Sequence, residues 1–76
     1  MELKVGSKIM MKAPGNYLPL VLCHIEAIVE NPSDKSKENR MIVYRYWLKS
    51  RKCWLWEIYA YWELAMYNEW DNENTK

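Results

Sequence analysis

Hydrophobic and polar positions alternate along the first half of the chain, and a period of two predicts strands. In VGSKIMMKA, Val5, Ser7, Ile9, Met11 and Ala13 fall on one face and Lys8, Met10 and Lys12 on the other. Pro14-Gly15 then predicts a turn, with Asn16 suited to left-handed geometry. LPLVLCHIEAIVEN predicts a long second strand. Val21, Cys23, Ile25, Ala27 and Val29 form one row, and Leu20, Leu22, His24, Glu26, Ile28 and Glu30 the other. The second row is apolar at first and charged later, as in a strand covered on both faces at one end only. Pro19 is expected at the strand start or on a sheet edge.

The polar run NPSDKSKEN at 31–39 predicts a loop, read as a mobile hairpin tip. MIVYRYWL and CWLWEIY, rich in β-branched and aromatic residues, predict two more strands. A turn at Ser50-Arg51 places Lys49 opposite Lys52, Leu48 opposite Cys53 and Trp47 opposite Trp54. The same register pairs Tyr46 with Leu55, Arg45 with Trp56 and Tyr44 with Glu57. Ser-Arg suits a primed hairpin turn poorly, and a longer loop would change the register. One face of this hairpin carries Val43, Arg45, Trp47, Trp54, Trp56 and Ile58. The other carries Ile42, Tyr44, Tyr46, Leu48, Cys53, Leu55 and Tyr59. Neither face is plainly polar, so the pattern leaves open which is core. In YWELAMYNEW, Trp62, Met66 and Trp70 recur every four residues beside Ala65 and Glu69, which predicts a short helix, while Leu64 and Tyr67 fall outside the stripe. A final strand is the alternative. Residues 1–70 are read as one small domain and 71–76 as a frayed polar tail.

Composition sharpens the question of the two faces. Five Trp and six Tyr stand in 76 residues, with no Phe. A domain this small buries only about 60% of its unfolded surface. The need for large side chains inside makes the Trp face the first choice for the core, with Arg45 lying over an indole. An excess of aromatics over what a small core hides implies instead that some meet a partner or a second copy of the chain. Net charge is +1, so bulk charge argues for neither nucleic acid nor membrane. The distribution is uneven: ten bases and five acids precede residue 53, and one base and five acids follow. That permits one basic and one acidic surface.

The order of elements, with VGSKI, HIEAIVEN, VYRYW and WEIYAYWEL as its markers, resembles the SH3-like small barrels, including Tudor-type and BAH-type modules. The likeness runs over about residues 5–67. It implies a mainly β fold: a small SH3-like antiparallel barrel of four or five strands with a short C-terminal helix. It also implies a binding role, because aromatics lining the barrel mouth of such modules grip a peptide or a methylated lysine.

Candidate chemistry follows from the hairpin. Arg45, Trp47, Lys49, Arg51, Lys52, Trp54 and Trp56 combine rings with bases. A protein partner is expected for such a surface, and a possible homodimer would also use it. The alternative is nucleic acid held by the basic aromatic hairpin 45–56, where stacking contributes roughly 1–3 kcal/mol per base. Cys23, His24 and Cys53 do not converge into a metal site, since consecutive strand residues point opposite ways. The single His24 has no nucleophile at a recognisable spacing, and Glu57 and Glu63 fix no geometry as paired carboxylates. Gly6 and Gly15 are the only glycines, so no phosphate loop is expected. The reading is a non-enzymatic binding module without cofactor: a small adaptor or inhibitor of a size suited to a viral or mobile-element protein. Met1–Lys4 leads into a strand pattern rather than a leader, and no run approaches the roughly 18 apolar residues of a membrane span. Two cysteines without a leader suggest a reduced, cytoplasmic setting.

Overall fold

A computed structural model describes residues 1–15 and 20–70; the expectations for Asn16, Pro19 and the 71–76 tail lie outside them. Four antiparallel strands form one sheet in chain order: β1 (Lys8–Met11), β2 (Val21–Val29), β3 (Met41–Leu48) and β4 (Cys53–Ala60). A helix, α1 (Tyr61–Asn68), follows β4 directly. The sheet is open among the described residues, with β1 and β4 as its edges and no fifth strand.

The chain reaches β1 through a turn at Lys4–Ser7, where the Ser7 N–H donates to the Lys4 carbonyl at 3.0 Å. Gly6 holds φ of 92° there, which the third position of this turn requires and a side chain resists. Val5 is therefore turned to solvent rather than continuing the β1 inner face. Ile9, Met11 and Ala13 face inward and Lys8 and Met10 outward, as the alternation predicts.

In β2 the predicted rows hold as far as Ile25 and then exchange. The register with β3 passes from Ile25↔Tyr44 to Ala27↔Val43, a bulge at Glu26. One extra residue reverses the pleat beyond it. Ile28 accordingly packs on the core and Val29 is exposed, the reverse of the expected rows. Nor is the start of β2 covered on both faces, for Leu20 and Leu22 are exposed.

Side-chain hydrogen bonds shape the 31–39 segment. The Asn31 side chain accepts from the Ser33 N–H at 2.9 Å and Asp34 from the Ser36 N–H at 3.0 Å. The Asn39 amide donates to Asp34 at 2.8 Å, and a 3-10 turn closes the segment at Lys37–Asn39. Short polar side chains replace the missing ladder bonds here.

The core lies between the inner face of the sheet and α1. Met11, Cys23, Ile25, Ile42, Tyr44 and Tyr46 from the strands meet Tyr61, Leu64 and Ala65 from the helix and Trp70 beyond it. The Glu63 carboxylate accepts from the Ala60 N–H at 3.1 Å, half of a capping box, and starts the helix. Glu69 ends it with φ of 58° and a bond from its N–H to the Ala65 carbonyl. This left-handed step folds Trp70 back onto Tyr61, their ring centres 5.8 Å apart. The helix is present as expected, but its buried side is Tyr61, Leu64 and Ala65, while Trp62 and Met66 of the predicted stripe face solvent. The Asn68 side chain fastens the helix end to the chain after β1. Its Oδ1 accepts from the Lys12 N–H at 2.7 Å and its Nδ2 donates to the Lys12 carbonyl at 3.1 Å, as a neighbouring strand would.

Candidate functional site

The β3–β4 hairpin has the predicted register throughout, from Leu48↔Cys53 through Trp47↔Trp54, Arg45↔Trp56 and Tyr44↔Glu57. Its loop is longer than the two residues expected. Lys49–Lys52 all lie in the turn, with the Arg51 N–H donating to the Leu48 carbonyl and Lys52 at φ of 53°. Two-residue and four-residue loops centred on Ser50-Arg51 share one register, so the faces survive the error. Lys49 and Lys52 are loop residues, not a cross-strand pair.

The inner face of this hairpin is the tyrosine face. Tyr44 and Tyr46 are both 0% exposed. Their rings stack with centres 6.3 Å apart. The Tyr44 hydroxyl donates to Glu57 Oε1 at 2.6 Å and the Tyr46 hydroxyl to Oε2 at 2.7 Å. One carboxylate from β4 thus satisfies two buried hydroxyls, and bonds to a charged acceptor are stronger than neutral ones. Burial, then the bond to Glu57, pushes the Tyr44 hydroxyl well above its ordinary range. Burial, reinforced by the Glu57 charge, pushes the Cys23 thiol up to about 12. Both groups stay protonated at neutral pH, so Cys23 is not a nucleophile there.

The tryptophan face is the outer one, which corrects the first choice of core. Trp47, Trp54 and Trp56 are 46%, 41% and 59% exposed. Trp47 and Trp54 meet edge to face with centres 5.5 Å apart. The Arg45 guanidinium carbon lies 4.1 Å from the centre of Trp54 and 6.0 Å from that of Trp56. The expected stacking of Arg45 on an indole is present, on the open face rather than in a core. Arg45 Nε also donates to Glu26 at 2.6 Å. Glu26 is the bulge residue, and bulges commonly re-aim a side chain in this way. The ion pair is worth about 1 kcal/mol or less at this exposure. Its larger effect is to hold the guanidinium against the rings, where the cation–π contact adds about 0.5–2 kcal/mol. His24 completes the group, its ring 5.3 Å from Trp54 and perpendicular to it.

Of the seven predicted site residues, the structure brings Arg45, Trp47, Trp54 and Trp56 together on one face. Lys49, Arg51 and Lys52 sit exposed in the loop at its end. The face also includes Ile58 of the hairpin itself, and Met10, Leu22, His24 and Glu26, which reading the hairpin alone missed. Their signal is the alternation in β1 and β2, which groups Met10 with Lys8 and Leu22 with His24 and Glu26. Cys23 is buried in the core while His24 lies among the outer aromatics, so the two do not converge. Among the described residues, no three His, Cys, Asp or Glu side chains form a group able to hold a metal ion. No helix among them is long and apolar enough to cross a membrane. Compared with known proteins, the chain matches no family model, no curated protein and no solved structure.

Proposed function

We propose that the chain is a non-enzymatic binding module that docks a protein partner on the open face of its sheet. The observation that carries this reading is the indole exposure. The uncovered parts of Met10, Leu22, Trp47, Trp54, Trp56 and Ile58 amount to roughly 600–760 Å² if a whole large side chain presents about 200–250 Å². That is more than the roughly 300–600 Å² of the largest apolar patch on a typical monomer, and close to the roughly 800 Å² per partner of a standard interface. Tryptophan and arginine are the residue types that dominate binding energy at such surfaces. Arg45 is held in place by Glu26 and Trp54, so little side-chain entropy is lost on docking. A partner with an apolar ridge and acidic groups beside it would meet the indoles and the basic loop together. Kinship with the SH3-like barrels belongs to the same proposal, supported by the antiparallel meander, the bulge in β2 and the helix after β4. So does the role of a small adaptor or inhibitor.

The test is affinity capture with the wild-type chain and with Trp47→Ala/Trp54→Ala, circular dichroism confirming that both are folded. A partner held by the wild type and lost by the folded variant supports the reading. Equal capture by both refutes it.

The second reading, single-stranded nucleic acid, is favoured by one feature: Lys49, Arg51 and Lys52 are exposed in the loop at the end of the tryptophan face. Binding through phosphates weakens steeply with salt. Fluorescence anisotropy with labelled single strands at low salt decides it. No binding there, or binding unchanged by Lys49→Glu/Arg51→Glu/Lys52→Glu, removes this alternative.

A further inference from the structure

The two edges of the sheet are treated very differently. β1 has four residues, lysines at 8 and 12, the Gly6 turn before it and Pro14 after it. Those are the devices that keep an edge from pairing with another chain. β4 has eight residues, CWLWEIYA, with no proline, no lysine and an uninterrupted register against β3. Its one charge, Glu57, is turned to the core face and occupied by Tyr44 and Tyr46. Among the described residues nothing pairs with the outer edge of β4.

We propose that the occupant of this edge is β4 of a second copy, giving a two-fold dimer with one continuous eight-stranded antiparallel sheet. A pairing centred on Trp56 is self-complementary. It sets Trp56 against Trp56 of the second copy and Trp54 against its Ile58, and it keeps both open faces on the same side. Charge favours the same arrangement. β4 is preceded by Lys49, Arg51 and Lys52 and followed, at the start of α1, by Glu63. Antiparallel pairing brings the basic loop of each copy beside the helix start of the other, whereas parallel pairing would set basic loop against basic loop. The inference stands on the strand edge and does not depend on what docks on the face. Dimerisation would double that face into one wide aromatic surface.

The test uses the full chain. Sedimentation from low micromolar to near-millimolar concentration should show a monomer–dimer equilibrium, and amide exchange within residues 54–58 should slow as the dimer forms. Trp56→Lys alone sets two like charges against each other at the two-fold axis and should weaken the dimer about tenfold or more. Trp56→Glu alone should do the same. Mixed together, these two variants should form a heterodimer. A monomer at every concentration overturns the proposal. So does a wild-type dimer whose slowed amides lie outside β4, a measurement that needs no variant. If folded Trp56→Lys dimerises as the wild type does, the proposed centre is wrong and the proposal fails.

Discussion

Tyr44 and Trp56 lie on neighbouring strands of one hairpin, and they should differ widely in what their removal costs. Tyr44 is 0% exposed and Trp56 is 59% exposed. A fully buried tyrosine removes about 200 Å² from water, worth about 5 kcal/mol at 25 cal/mol per Å² as an upper bound. Its bond to the Glu57 carboxylate adds roughly 1.5–3 kcal/mol. Trp56 covers only about 100 Å², an upper bound of about 2.5 kcal/mol, and its loss opens no cavity. A 76-residue domain has about 4–11 kcal/mol in total. Tyr44→Ala should therefore leave little or no cooperative unfolding transition. Trp56→Ala should unfold cooperatively at a urea midpoint lowered by about 1–2 kcal/mol of stability. Tyr44→Phe, which deletes only the hydroxyl, should fall between them. The assay is urea denaturation followed by far-ultraviolet circular dichroism at low micromolar concentration. If Trp56→Ala proves as damaging as Tyr44→Ala, the assignment of inner and outer faces is wrong.

Three further predictions come from other parts of the fold. Glu69→Gly should raise stability by about 0.5–1 kcal/mol in the same denaturation assay, because glycine adopts the φ of 58° there without a Cβ penalty. Asn68→Ala should cost about 1–2 kcal/mol and speed exchange of the Lys12 amide, since it removes both bonds to the Lys12 backbone. Iodoacetamide at mild alkaline pH should label Cys53, which is half-buried, and spare Cys23, whose thiol sits at about 12. The folded pKa of Cys23 lies above the unfolded value near 8.5, so its contribution is complete below that value. It is lost between there and about 12 as pH rises, at about 1.4 kcal/mol per pH unit. Alkaline denaturation that begins earlier in wild type than in Cys23→Ala, relative to each protein's own stability at neutral pH, checks the sign.

The strands, their order along the chain and the hairpin register could be read from the pattern because strand alternation is a local signal. The register was secure for a geometric reason: both turn lengths centred on Ser50-Arg51 give the same cross-strand pairs. The inner and outer sets were legible, but which was inner was not. Tyr44 and Tyr46 look half-polar in isolation, and the group that makes their burial tolerable, Glu57, lies thirteen residues from Tyr44 on the next strand. The bulge at Glu26 had no glycine to announce it, so the exchange of rows at Ile28 and Val29 was hidden. The helix face was misjudged for a similar reason. Periodicity counts Trp70 into a helical stripe, yet it reaches the core only because Glu69 takes a left-handed conformation that the sequence would signal with glycine. At the site, four of the seven predicted residues share the open face and three lie in its bounding loop. The residues supplied by β1 and β2 required knowledge of which strands are neighbours.

Where the indoles stand relative to water tests the whole account most directly. Oxidative footprinting of the native chain at low micromolar concentration, read by peptide mass spectrometry, would count them residue by residue. Trp47, Trp54, Trp56 and Trp62 should be modified in the folded protein, with Trp70, only 7% exposed, protected until it unfolds. Protection of Trp47, Trp54 and Trp56 in a monomeric, folded chain would contradict the open aromatic face on which the proposed function rests.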